Sequence, residues 1–377
     1  MFSKKRNYLD AAAGISGNPS SPHEEGRRAK TMLEDARTAI ARLVEVQSDD
    51  VLFTSGATES NALAILGHVR ALKKNGRNDL HMLYLPTAHA SLVENAKLLA
   101  DEGVAVEPLP VKDYRVHTDA LAKLIRNETV LVAMEAVCGE TGVVWNTHEV
   151  AHTLRNARAT AGGARILLHV DASQAPLTEK ITRAHFDADM VTFDASKVGA
   201  VRGIGALIAH RTIPLAPLYA GGGQERGLRP GSEAPELARA FARALSECVH
   251  NREAFAASAL RERAYLVDEL KNIPNAHIQE GRSQAPNILN VSLPGRDTDY
   301  LVALLDEAGF AVATRSACET DSVDGSRAVF ALTGDAVKAR STLRISWRSE
   351  NRSHQMFVRL AEAIIRAIAF IDTPGNR

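Results

Sequence analysis

Short apolar runs alternate with longer amphipathic stretches along the first two thirds of the chain. The apolar runs predict buried strands at 81–86, 130–137, 164–173 and 189–196. Apolar residues at three-to-four spacing predict helices over 23–46, 58–74, 88–102, 118–126 and 147–159. This alternation is typical of an α/β domain, in which a mostly parallel sheet is covered by helices on both faces.

The pattern changes after about residue 246. A long charged helix is predicted over 251–272, followed by strands at NILNVSL (287–293), FAVAT (310–314) and RSTLRISW (340–347), a helix near 297–309 between the first two, and a final amphipathic helix. We therefore expect a large domain over 14–246. A smaller α+β domain is expected to combine residues 1–13 with 247–377.

Composition narrows the possible partners. Among 377 residues, Lys plus Arg and Asp plus Glu are each 45, so no net charge draws the chain to nucleic acid or to a membrane. The N-terminus lacks the apolar stretch of a signal peptide, and no apolar run is long enough for a membrane helix, which favours a cytoplasmic location. The three cysteines, Cys138, Cys248 and Cys318, are too few and too widely spaced for a disulfide framework or a closed zinc site.

Candidate chemistry follows several predicted strands. TSGATES (54–60) opens a helix, so Ala57 and Thr58 would offer backbone N–H groups and a hydroxyl to a phosphate, although a simple capping turn has the same sequence. Asp171 ends one buried strand, and Ser196 and Lys197 end the next. An acid beside a lysine at neighbouring strand ends suits a protonated ring nitrogen and a cofactor aldehyde, whereas alone each is commonly a helix cap or a solvated flank.

Three further features are candidates of weaker individual value. His89 follows the strand at 81–86, where a lone histidine is more often structural than catalytic. The glycine-rich loop 220–233 is of a kind that wraps ligands or neighbouring subunits, or is only a surface excursion. Arg344, on an apolar strand pattern, would need an anion such as a substrate carboxylate.

Taken together, these motifs resemble the cysteine desulfurases, pyridoxal-phosphate enzymes of the class-V aminotransferase group. The resemblance is carried, in family order over nearly the whole chain, by FTSGATES, HVDASQA, SK before VRGIGAL, GGGQERGLRPGSE, APNILNVSL, RSAC and STLRIS. It implies the PLP-dependent fold type I, with a mostly parallel seven-stranded sheet, and a homodimer whose active site lies at the subunit interface.

The resemblance also implies a role for each matching residue. Lys197 would hold the aldehyde of pyridoxal 5'-phosphate, Asp171 would pair with its ring nitrogen, Gln174 would bond its ring hydroxyl and His89 would stack on the ring and carry protons. The phosphate would be bound by Ala57, Thr58, Ser196 and, from the other subunit, Ser232. Arg344 would bind the carboxylate of L-cysteine. Cys318 would be the nucleophile that takes the sulfur as a persulfide, leaving alanine. The sulfur would pass to an acceptor such as an iron–sulfur scaffold or a thiolation enzyme.

Several positions depart from the family pattern. Gly139, in CGETG, stands where the family has an asparagine, Ser196 replaces a histidine that contacts phosphate, and Trp347 replaces a small residue. Asp194 replaces a serine and would repel a phosphate, so we expect it either to turn away or to loosen the cofactor. AAAGIS spans a gap in which the family carries roughly twenty more residues. Cys138 and Cys248 are interpreted as small core fillers.

Two other functions stay open on these residues. One is a lyase or aminotransferase of the same fold acting on another amino acid, with Cys318 incidental. The other is a non-catalytic scaffold or partner in a sulfur pathway, suggested by Gly139, Asp194 and the shortened N-terminal region.

Overall fold

The computed structural model describes residues 7–14, 17–161, 165–199, 201–314, 325–348 and 353–373. Its strands are β1 (Val51–Thr54), β2 (His81–Tyr84), β3 (Ala105–Pro108), β4 (Val111–Lys112), β5 (Arg115–Val116), β6 (Thr129–Glu135), β7 (Leu167–Asp171), β8 (Met190–Asp194), β9 (Gly205–Ala209), β10 (His277–Ile278), β11 (Ile288–Ser292) and β12 (Thr342–Ser346). Its helices are α1 (Glu24–Val44), α2 (Ala57–Ala62), α3 (His68–Lys74), α4 (Ala90–Asp101), α5 (Thr118–Leu124), α6 (Thr147–Ala161), α7 (Arg183–Phe186), α8 (Pro235–Leu270), α9 (Thr298–Glu307), α10 (Arg327–Thr333), α11 (Ala336–Arg340) and α12 (His354–Asp372).

Seven strands form the central sheet, in the order β1-β9-β8-β7-β6-β2-β3. All neighbouring pairs from β8 to β3 are parallel, and only β9 runs against its two neighbours. Every residue of β6, β7 and β9 is buried. Because successive side chains of a strand point to opposite faces, both faces of the sheet are covered, as the sequence pattern predicts.

Each of the four strands predicted in this region is present, with ends moved by three residues at most. The predicted helix 58–74 is helical throughout, but a π-helical turn at Leu63–Gly67 separates α2 from α3. Helix α1 is capped by His23, whose ring accepts a hydrogen bond from the Gly26 N–H, and carries Glu24 in its first turn. An acid there is favoured by the positive end of the helix dipole.

A second, three-stranded antiparallel sheet follows, in the order β10-β11-β12. FAVAT does not form the predicted strand. Only Ala313 pairs, through two backbone hydrogen bonds with Arg344 of β12 (3.2 and 2.6 Å). An apolar run of five residues is typical of a strand, but in this structure only one of its residues pairs with the edge strand β12.

Helix α8 is longer than the predicted 251–272 and runs unbroken over 36 residues. Its first half, including Phe241 and Leu245, packs into the apolar core around the central sheet. Its second half, including Leu266 and Leu270, packs with α9 and α12 into a separate core around the small sheet. The domain limits 14–246 and 247–377 stay a prediction, since this helix crosses the proposed boundary. None of the described helices combines the length and apolar character needed to cross a bilayer.

Candidate functional site

A cavity of about 280 Å³ opens at the edge of the central sheet where the parallel strands end. It is lined by Ala57, Thr58, Thr87, His89, Glu135, Val137, Cys138, Gly139, Glu140, Asp171, Ser173, Gln174, Asp194, Ser196, Lys197 and Arg344. All of the predicted site residues except Ser232 and Cys318 are in this set. The carboxyl ends of parallel strands are where α/β sheets commonly bind ligands, which explains why motifs distant in sequence meet here.

Lys197 lies on the 3₁₀ turn Ala195–Lys197, directly after β8. Its side chain is exposed and borders the cavity. Among the residues that the structure describes, Lys197 has no ion-pair partner, so its amine is accessible to a ligand placed in the cavity. An accessible lysine amine at a strand end can act as a nucleophile towards an aldehyde.

Asp171 ends β7 and is buried, with 7% of its surface exposed. Its Oδ2 accepts a hydrogen bond from Asn61 Nδ2 (2.7 Å), and its Oδ1 accepts one from the Ser173 N–H (2.9 Å). Asn61 also donates to Ser91 Oγ (2.9 Å), which ties α2 to α4 behind the carboxylate. Asp171 is therefore held in one orientation at the cavity wall.

Glu135 is a second acid in this wall, and the sequence analysis missed it. It ends β6 in register with Asp171, is only 4% exposed, and accepts a hydrogen bond from the His89 N–H at Oε2 (3.3 Å). Burial raises the pKa of the Glu135 carboxyl well above its usual range, and the neighbouring charge of Asp171 raises it further. Its place at the end of an apolar strand, the same place that Asp171 has, is the signal that could have found it.

His89 begins α4 as its N-cap. Its Nδ1 accepts a hydrogen bond from the Ser91 N–H (3.1 Å) and lies 2.9 Å from Ser91 Oγ. Because Nδ1 accepts, the ring proton of a neutral His89 is carried by Nε2. Nε2 is thus the atom left to meet a ligand in the cavity.

Gln174 and Gly139 face each other across the cavity wall. A side chain on Gly139 would come within 3.0 Å of Gln174 Nε2, so the missing asparagine leaves space that the Gln174 amide occupies. Arg344 of β12 donates to the Gly139 carbonyl oxygen through Nη1 (3.3 Å). The guanidinium is thereby directed to the cavity wall, where its other N–H groups can face an anion.

Asp194 does not turn away, and that part of the expectation is wrong. Its Oδ2 accepts a hydrogen bond from the Ala57 N–H (3.0 Å), and its Oδ1 accepts one from the Ser196 N–H (2.8 Å). The carboxylate therefore lies at the start of α2, where the sequence analysis expects a phosphate. The reason is local: an acid at the end of β8 caps the turn that carries Lys197.

Ser232 is exposed and outside the cavity, with its Oγ 3.5 Å from Asn18 Nδ2. The glycine-rich loop that carries it borders a different, larger cleft of about 870 Å³, which also includes Arg37 and Glu225. No predicted catalytic residue lines that cleft within the described ranges.

Cys318 lies outside the described residues, but the chain on either side of 315–324 is attached to the cavity. Before this segment, Ala313 pairs with the cavity residue Arg344. After it, Ser326 Oγ donates to Oε2 of the cavity residue Glu140 (2.6 Å). The described chain therefore stops and resumes beside the site.

The other cysteines differ from each other in setting. Cys138 is buried, as a core filler would be, and it also forms part of the cavity wall. Burial raises the pKa of the Cys138 thiol well above its usual range, and Glu135 and Glu140 add to the effect, so the thiolate form is disfavoured. Cys248 is half-buried on α8, where its Sγ donates to the Val198 carbonyl oxygen (3.5 Å). Trp347 is buried in the small core against Phe357.

Buried polar atoms at the cavity wall are left without partners. Within the part of the chain that is described, these are Thr87 Oγ1, Glu135 Oε1 and Ser173 Oγ. Leaving such atoms unpaired is costly, and a polar ligand in the cavity would satisfy them. The lysine, the carboxylate of Asp171 and the arginine could thus hold a molecule with an aldehyde, a basic ring nitrogen and a carboxylate.

The sequence and the fold both have known relatives. The family model for aminotransferase class-V matches residues 6–356. Cysteine desulfurase IscS 1 of Archaeoglobus fulgidus is 31% identical over 88% of this chain and 84% of its own length. A solved NifS-like protein superimposes with a TM-score of 0.85 at 26% identity, covering 96% of this chain and 93% of the other. The structure described as SspA in complex with cysteine aligns with a TM-score of 0.72 at 26% identity, over 88% and 92% of the two chains.

Proposed function

Because the chain belongs to the cysteine desulfurases of the class-V aminotransferase family, we propose that it removes sulfur from L-cysteine, releases L-alanine and carries the sulfur as a persulfide on Cys318. The observation that carries this proposal is the convergence of Lys197, Asp171, His89 and Arg344 on one cavity. The order of these residues along the chain matches the family motifs.

The family depends on pyridoxal 5'-phosphate, and the ring end of the cavity fits that cofactor. The Lys197 amine is available to its aldehyde, and the fixed Asp171 carboxylate is suited to its protonated ring nitrogen. Gln174 and the unpartnered Ser173 hydroxyl can meet ring substituents. The end of the cavity at α2, where the cofactor phosphate would lie, does not fit the cofactor, because the Asp194 carboxylate already accepts the hydrogen bond of the Ala57 N–H.

When bound, the cofactor supplies an electron sink next to the α-carbon of the substrate. The protein supplies the placement around it. Arg344 binds the substrate carboxylate, and His89 presents Nε2 to the reacting groups. Asn61 and Ser173 keep the Asp171 carboxylate oriented, so that its charge is available without reorganisation.

Sulfur transfer is assigned to Cys318. Its sulfur forms a bond with the substrate sulfur while the Cβ–S bond of L-cysteine breaks, and protonation of the remaining carbon skeleton gives alanine. Support comes from Ala313 and Ser326, which attach the flanking chain to Arg344 and Glu140 at the cavity. Cys138 is a poor alternative, since burial raises the pKa of its thiol.

A homodimer is part of the proposal. Ser232 is exposed and borders no part of its own cavity, which suits a residue that reaches the phosphate end of a partner's site. The solution mass tests this, and we expect twice the 40.6 kDa of one chain. We also predict an acceptor protein for the sulfur, such as an iron–sulfur scaffold or a thiolation enzyme. A cytoplasmic location is a further prediction.

The decisive assay supplies L-cysteine and a reductant to the cofactor-loaded protein and measures alanine and sulfide. Equal amounts of the two are expected. Turnover of another amino acid without release of sulfide would show that the protein is a different enzyme of the same fold. The observation that favours the non-catalytic alternative is the position of Asp194. This alternative predicts that the protein shows no Lys197-dependent cofactor absorption band at any cofactor concentration.

A further inference from the structure

The end of the cavity nearest α2 holds a negative charge of the protein's own. The carboxylate of Asp194 bridges two segments far apart in sequence, the Ala57 N–H at the start of α2 and the Ser196 N–H in the lysine turn. Among the described residues, no lysine, arginine or histidine forms an ion pair with Asp194. Its carboxylate is held by backbone N–H groups.

The backbone holds this arrangement in place. Gly205 of β9 pairs with both Thr54 of β1 and Asp194 of β8, and a side chain on Gly205 would come within 2.7 Å of Gly56. The missing side chain lets the turn before α2 approach β8 closely. The Ala57 N–H is thereby brought to the Asp194 carboxylate rather than left open.

The same N–H groups are what a phosphate would use. The helical backbone continues from Ala57 through the π-turn to Lys74, so the N–H groups at its start have no partners within the helix and lie at the positive end of the dipole. A phosphate at α2 would compete with the Asp194 carboxylate for the backbone N–H donors. It would also be repelled by the negative charge of that carboxylate at short range.

We propose that Asp194 is a specificity determinant that opposes phosphate dianions at this end of the cavity, so that the phosphate adds little to cofactor affinity. Binding then depends mainly on Lys197 and the ring contacts. A neutral residue could cap the lysine turn equally well, so the cap alone does not require a charge. This inference rests on the family's cofactor and not on the sulfur chemistry of the proposed function.

The test compares two ligands that differ only in the phosphate, pyridoxal 5'-phosphate and pyridoxal. Their dissociation constants are measured by absorbance titration of the cofactor-free full-length protein, its Asp194→Asn variant and an Asp113→Asn control. Asp113 is exposed in the turn between β4 and β5 and does not line the cavity. Binding is the readout, so the result does not depend on whether cysteine is turned over.

In the wild type we expect the phosphate to improve affinity by about tenfold or less. Asp194→Asn should tighten pyridoxal 5'-phosphate by about tenfold or more and change pyridoxal by less than about threefold, while Asp113→Asn changes neither. Equal tightening of both ligands, or none, would overturn the proposal. So would a wild-type preference for the phosphorylated form of more than about a hundredfold, a result that needs no variant to fold.

Discussion

At the residue scale, the site is defined by two acids at neighbouring strand ends that have opposite environments. Asp171 accepts hydrogen bonds from the Asn61 side chain and the Ser173 N–H, whereas Glu135 accepts one backbone hydrogen bond, from His89, and has an unpartnered Oε1. Because the two are in register on β6 and β7, a charge on one penalises a charge on the other. The carboxylate suited to a protonated ring nitrogen is therefore Asp171, whereas burial favours the neutral form of Glu135 by raising its pKa.

This difference predicts a pH-dependent stability. The pKa of Glu135 is raised by burial and by Asp171 in the folded state, but the unfolded carboxyl ionises near 4.5. Above that pH only the unfolded state gains from ionisation, so the stability that Glu135 contributes at low pH is lost as the pH rises. We expect Glu135→Gln to gain unfolding free energy relative to wild type between about pH 5 and about pH 8, measured by urea titration.

The exposed Glu253, whose side chain is 90% accessible, provides the matched control. Glu253→Gln should show a difference from wild type that does not grow across the same pH range. A constant difference for Glu135→Gln as well would mean that Glu135 is ionised in the folded protein.

At the element scale, one buried ion pair anchors the glycine-rich loop. Glu225 accepts from the two terminal guanidinium nitrogens of Arg37 of α1 (2.8 and 2.7 Å) and from the Phe53 N–H of β1 (2.9 Å). Both charged side chains are buried, and Arg37 also stacks over the Phe53 ring at 4.9 Å. The loop that carries Ser232 is thus fixed to the central domain at this point.

Breaking the pair should destabilise the fold. Glu225→Gln leaves the buried Arg37 guanidinium with only the half-exposed Glu34 carboxylate (3.2 Å) as counter-charge, and we expect a loss of roughly 3 kcal/mol in the free energy of unfolding. Glu247→Gln, which breaks an exposed pair with Arg243 on α8, should change it by about 0.5 kcal/mol or less. Chemical denaturation of the two variants compares them directly, and equal effects would show that Glu225 contributes no more than a surface charge.

The sequence predicts the elements of the central sheet better than their connections. Strands β2, β7 and β8 are largely apolar because both faces of the sheet are buried, and such runs can be recognised from the sequence alone. FAVAT does not form its predicted strand, and α8 is longer than predicted. Both outcomes depend on the elements that pack beside these segments. Asp194 illustrates the limit at the site: its type is visible in the sequence, but its bond to Ala57, 137 residues away, is a property of the folded chain.

At the scale of the whole molecule, the cavity joins the two parts of the fold. The central sheet contributes Lys197, Asp171 and His89, and the small sheet contributes Arg344. The segment 315–324 follows Ala313, which pairs with Arg344, and precedes Ser326, which bonds to Glu140. In the proposed function, the large sheet binds the cofactor, and the part of the chain that follows α8 binds the substrate and transfers the sulfur.

The most direct test of this account is the mass of the peptide that contains Cys318 after the cofactor-loaded protein has reacted with L-cysteine without reductant. We expect this peptide to gain the mass of one sulfur atom, with one alanine released for each sulfur bound. Cys248→Ser should retain the modification, and Cys318→Ser should lose both the modification and sulfide release. Alanine and sulfide formed at the wild-type rate by Cys318→Ser would contradict the account.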